Sequence, residues 1–92
     1  MSESIMSNER VCYICGSPEV VQHHIFHGTA NRALSDKWGC WVWLCPSHHT
    51  GREGVHFQKD MDMRLKQICQ EKWEELNGGR EEFRKVFGKS WL

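Results

Sequence analysis

No run of apolar residues in this chain approaches the roughly 20 needed to cross a bilayer, and Met1 to Glu9 is too polar for the core of a secretory signal. A membrane partner is therefore not expected. The chain reads as intracellular, in a compartment where thiols stay reduced. Net charge is missing too: twelve acidic side chains balance twelve basic ones. That removes the basic excess that usually marks tight, unspecific nucleic-acid binding. Internal repeats, low-complexity linkers and a sustained heptad are also lacking, so nothing points to a repeat array or a coiled coil. Ninety-two residues make one domain, near the lower end of what an apolar core stabilises alone. Such chains usually carry a staple.

The cysteines supply a candidate for it. Five is an odd number, and the spacing suits a metal better than a disulfide framework. Cys12-x2-Cys15 is matched by Cys45-x2-His48, and two such pairs can wrap one tetrahedral Zn2+ from two turns. His49 is the alternative fourth ligand, but the two-residue gap favours His48. Cys40 and Cys69 read as small buried hydrophobes.

Along the chain, residues 1–8 read as a flexible tail, residues 9–58 as a zinc-containing core and residues 59–92 as a helical extension packed on it. Val11 to Pro18 forms a knuckle around a tight turn. Val20 to Phe26 is rich in β-formers and is expected as a strand, and Trp41 to Leu44 as a second. Gly28 to Lys37 reads as a polar loop with a helical turn over Ala30 to Leu34. His48 and His49 fall in a turn or a first helical turn. Met61, Leu65, Ile68, Cys69, Trp73 and Leu76 recur near the 3.6-residue period, so Asp60 to Asn77 is expected as an amphipathic helix. Asn77-Gly78-Gly79 closes it. Phe83, Val86 and Phe87 stripe a short final helix stopped by Gly88. Trp73 belongs to the core. Trp41 and Trp43 share a strand face, and Trp38 is the candidate for an exposed stacking surface.

His23 and His24 are adjacent at a strand end. Neighbours on a strand point to opposite faces, so they cannot bind one ion in the same manner. One can ligate a cation while the other faces a water. Phosphodiester hydrolysis uses that division: a divalent ion on the phosphate and leaving oxygen, and a neutral imidazole as general base. Two polar strand residues, or a substitute zinc ligand, are the simpler alternatives. His56 reads equally as a third metal ligand, a phosphate contact or a loop residue. Arg32 and Arg52 flank the proposed centre and suit DNA phosphates as well as they suit a solvated surface. Lys37 reads as solvated.

Cys12-x2-Cys15, His23-His24-Ile25-Phe26-x-Gly28, Asn31-Arg32, Ser35-x3-Gly39, Leu44-Cys45-Pro46-x-His48-His49 and Gly54-Val55-His56 together resemble the zinc-stapled HNH endonucleases of the ββα-metal class. The likeness is to the small phage-encoded branch related to recombination-enhancing, recombinase-dependent nucleases. It covers Cys12 to His56, and the following helices resemble the tail of that branch. The resemblance implies a small α+β fold with a ββα-metal (HNH) core, a long C-terminal amphipathic helix and a short final one. It implies that His23 and His49 are ligands of a catalytic Mg2+, Mn2+ or Ni2+, that His24 is the general base, and that Zn2+ is structural. Cys40 stands where many relatives carry an asparagine that orients the base. The orienting group is then a backbone carbonyl or another side chain, with Asn31 the candidate.

DNA is the implied partner, with a recombinase filament or another phage protein as a second one, in the cytoplasm of a bacterial host. Two other readings stay open. One is a non-catalytic zinc module binding nucleic acid or protein. The other is a nuclease subunit active only within a recombination or packaging complex. Neutral net charge supports both.

Overall fold

The computed structural model describes residues 3–52, 54–55 and 58–92, with the side chain of Thr29 left aside. Two short strands, β1 (Val21–His24) and β2 (Trp41–Leu44), pair antiparallel, with His23 opposite Val42 and His24 opposite Trp41. Four helices complete the small α+β fold: α1 (Thr29–Trp38), α2 (Pro46–His49), α3 (Lys59–Leu76) and α4 (Arg80–Phe87).

The stretch expected as a polar loop is α1, ten residues long. Its sequence hid this, because Leu34 and Trp38 are its only large apolar residues and both are only partly buried. Ser35, fully buried, ties the helix to the end of β1. Its hydroxyl donates to the Phe26 carbonyl at 3.2 Å and accepts from the Phe26 N–H at 3.2 Å. Gly39 ends the helix in the left-handed region, φ 73°, with its N–H on the Ser35 carbonyl. A Cβ there would lie 2.2 Å from the Glu3 carbonyl oxygen, so only glycine fits.

Residues 3–8, expected as a flexible tail, make specific contacts with the fold. The Ile5 N–H donates to the Gly39 carbonyl at 2.9 Å, the Ser4 hydroxyl donates to the Trp41 carbonyl, and Met6 is buried in the core. The strand expected over Val20 to Phe26 is paired only over Val21–His24. Ile25 and Phe26 instead plunge into the interior, both wholly buried.

Phe26 is the hub of an aromatic cluster supplied by the helices. Its ring lies 5.4 Å from Phe83, 4.7 Å from Phe87 and 4.8 Å from Trp91. Trp73 of α3 joins through Phe83 at 5.3 Å. Trp38 is half-buried with its ring edge-on to Trp73 at 5.6 Å, so it packs on the core rather than forming an open stacking surface. Of the stripe expected on α3, Leu65, Cys69 and Trp73 are buried and Met61 and Ile68 partly so, whereas Leu76, in the last turn, is exposed. The helix also buries Gln70, whose amide is fully used: it donates to Glu74 and Ser90, each at 2.9 Å, and accepts from the Trp91 N–H at 2.8 Å. This latch holds Trp91 over Phe26. Through Phe26, the helices fix the chain two residues beyond the histidine pair.

Phe83→Ala removes a wholly buried ring from this cluster and should lower unfolding free energy by about 3–5 kcal/mol. Urea denaturation of the zinc-loaded protein measures this, and a loss below about 1 kcal/mol would remove the cluster from its assigned role.

Candidate metal centre

Four ligands expected from sequence come together. The knuckle is closed by backbone hydrogen bonds from Cys12 N–H to the Ser17 carbonyl and from Gly16 N–H to the Cys12 carbonyl, each 2.8 Å. Gly16 sits at φ 78°, the left-handed turn this needs. Tyr13 N–H on the Trp43 carbonyl, 2.8 Å, fastens the knuckle to β2. At the end of β2, Cys45 caps α2 with Pro46 in its first turn, and His48 follows one turn later. The loop after α2 folds back on it: the Val55 N–H donates to the His48 carbonyl at 2.9 Å, and a Cβ on Gly54 would lie 2.7 Å from the His49 backbone.

Cys12, Cys15, Cys45 and His48 each place a ligand atom within 4.8 Å of all the others. Cys15 Sγ to Cys45 Sγ is 3.6 Å, Cys12 Sγ to His48 Nδ1 is 3.8 Å and Cys45 Sγ to His48 Nδ1 is 3.2 Å. Zinc–ligand bonds of ~2.3 Å to sulfur and ~2.0 Å to nitrogen give tetrahedral edges of about 3.5–3.8 Å. The donor set therefore fits a Zn2+ ion. Burial pushes the Cys12 thiol up, but backbone N–H groups of Cys45, Cys15 and Ile14 outweigh it, and its pKa falls to about 6. The Ser17 backbone favours the Cys15 thiolate, yet residual desolvation and the neighbouring Cys12 and Cys45 sulfurs prevail and raise its pKa. A cation among the sulfurs offsets that mutual repulsion.

His49, adjacent to His48 of the Cys3His set, lines a different space. A cavity of about 510 Å³ opens beside the staple, lined by His23, His24, His27, His49, Arg32 and neighbouring residues. His23 is buried, with its ring 5.3 Å from His49 and 5.4 Å from His27. Among the described residues, the group that His23 joins is a different one from the expected pairing with His49. His23 falls with His27 and Asp62, their ligand atoms all within 4.8 Å. His27 Nε2 lies 3.2 Å from Asp62 Oδ1, and Lys66 Nζ lies 2.9 Å from Asp62 Oδ2. Burial raises the Asp62 pKa, but His27 and Lys66 outweigh it and the net shift is downward. His56 lies outside the described residues.

The anion beside His24 is Asp36, its Oδ1 3.7 Å from His24 Nε2, an ion-pair rather than a hydrogen-bond distance. Gln22 also donates to this oxygen, at 3.4 Å. Asn31, named above as the orienting candidate, is half-buried on α1 and does not line the cavity. Arg32, one residue on, does. Arg52 is exposed and away from the cavity lining, its carbonyl accepting from Gln58 Nε2 at 3.1 Å. Sequence reasoning missed His27, Asp36 and Asp62. The spacing His23-x3-His27 was the available signal for the first. Nothing local marks the other two, which reach the site through α1 and α3.

Comparison with protein-family models, with curated proteins and with solved structures found no match. Among the described residues, no helix is long and apolar enough to cross a membrane.

The purified chain should hold one tightly bound zinc through the sulfur-rich set. Chelation, or Cys45→Ser, should abolish the cooperative thermal transition, since zinc binding in such small domains is worth about 10 kcal/mol or more. Metal analysis with calorimetry reads both. A cooperative transition of unchanged midpoint after zinc removal contradicts the staple.

Proposed function

We propose that the protein is a metal-dependent DNA endonuclease of the HNH, ββα-metal class. The observation that carries this is the splitting of consecutive histidines: His48 turns to the cysteines while His49 turns to His23, in a cavity that His24 also lines. The order β1, β2, α2 around a Cys3His group supports the same reading, as does the likeness of the motifs from Cys12 to His56.

A divalent ion held through His23 in this cavity would supply charge neutralisation at the scissile phosphate and the leaving oxygen. His24 does the proton chemistry. The Asp36 carboxylate facing Nε2 favours the tautomer with its proton there, which leaves the Nδ1 lone pair to accept a proton from water. Asp36, at ion-pair distance, would then favour the imidazolium that forms. In this reading Asp36 replaces Asn31 as the group that orients the base. Arg32, exposed at the cavity lining, would pair with a phosphate of the bound strand.

A second reading is favoured by one fact, the net charge of zero. Without a basic excess the chain holds DNA weakly, which suits a subunit that cuts only when a partner delivers the strand.

Supercoiled plasmid should be nicked or linearised in the presence of Mg2+, Mn2+ or Ni2+ and left intact with EDTA. His24→Ala should slow cleavage by about 10²–10⁴-fold while keeping zinc content and thermal midpoint. Cleavage by His24→Ala at the parental rate would exclude it as the base. Inactivity of folded, zinc-loaded protein under every metal would move the assignment to the partner-dependent subunit.

A further inference from the structure

We propose that His23, His27 and Asp62 form a binding site for a first-row divalent transition ion, with α3 supplying the carboxylate. The catalytic meaning of this site rests on the nuclease reading, whereas ion binding itself does not.

The three residues come from different places for different reasons. His23 stands near the end of β1, its register fixed by pairing with Val42. His27 follows the plunge of Ile25 and Phe26 into the core, just before Gly28 turns the chain at φ 97° into α1. Asp62 belongs to the first turn of α3. Burial of Phe26 against α4 and Trp91 keeps His27 beside the strand end and level with α3.

The carboxylate is divided between two tasks. Oδ2 is held by Lys66, one turn along the same helix and largely buried. That fixes the rotamer and directs Oδ1 toward His27. Coordination at ~2.0–2.2 Å sets neighbouring ligand atoms about 3–4 Å apart. The 3.2 Å between His27 Nε2 and Asp62 Oδ1 already matches this, and His23, within 4.8 Å of both, needs a rotamer-scale adjustment. The His–Asp pair supplies two of these residues, and the buried imidazole of His23 converges on the same point from the strand.

The ligand chemistry selects the ion. Two imidazoles and one carboxylate favour Zn2+, Co2+ or Ni2+ over Ca2+ and Mg2+, which prefer all-oxygen shells. Three protein ligands leave positions open to water or a phosphate oxygen, the mark of a working site rather than a structural one. The cavity at His23 and His27 gives such a ligand access.

The test uses full-length protein with one zinc in its Cys3His set, titrated with Co2+ and followed by calorimetry and visible absorption. The parent should take up one further Co2+ whose spectrum lacks the strong sulfur-to-cobalt band. His27→Ala and Asp62→Asn should each weaken that binding by at least about tenfold with zinc content and thermal midpoint retained. The proposal is overturned if the parent binds no second ion, or if both variants bind it as the parent does. It is also overturned if only His49→Ala loses the ion, which would place it between His23 and His49. Plasmid cleavage in the same samples separates the two ideas. A second ion with the predicted variant response but no cleavage supports the site and counts against the autonomous nuclease.

Discussion

Everything near the histidine cavity hangs on one corner of the chain, where β2 ends at Cys45 and α2 begins. Cys45 and His48 face the knuckle thiols across that corner. Their placement decides where the next side chain can go, because one residue along a helix turns the direction by about 100°. His49 is thereby turned from the sulfur cluster toward His23. Three thiols, one of them acidic, and an imidazole crowd this corner, where the neighbouring sulfurs raise the Cys15 pKa. A bound zinc would offset that repulsion and supply the staple that a 92-residue chain needs.

The second anchor is apolar and acts from the opposite side. Ile25 and Phe26 follow the histidine pair directly and are wholly buried. Phe83, Phe87 and Trp91 close over Phe26, and Gln70 holds the last of these in place. The histidines are thus gripped between a metal corner and an aromatic core. Such support from both flanks is how a small fold holds side chains rigidly enough for chemistry. It also gives the C-terminal helices a part in the site, because α3 brings Asp62 to His27.

Much of this was legible in the chain itself. The two pairs of the Cys3His set are read from spacing alone, because residues spaced like these share a turn. The stripe on α3 is read from its period. Helix α1 escaped notice because tertiary hydrogen bonds to Ser35 and a glycine fitted against Glu3 hold it, and neither leaves a periodic trace. The attachment of residues 3–8 was hidden for the same reason, since backbone bonds to Gly39 carry no side-chain signature. Around the histidines, local order named His23, His24 and His49 but not the carboxylates. Asp36 and Asp62 reach them through the packing of helices, which no short motif encodes.

A sulfur-rich metal corner, separate from the histidine cavity, should organise this fold. X-ray absorption at the zinc edge of protein holding a single zinc tests it most directly. Three sulfur neighbours at ~2.3 Å and one nitrogen at ~2.0 Å are expected. A shell dominated by nitrogen and oxygen would place that zinc among His23, His27 and Asp62 instead, and would contradict the claim.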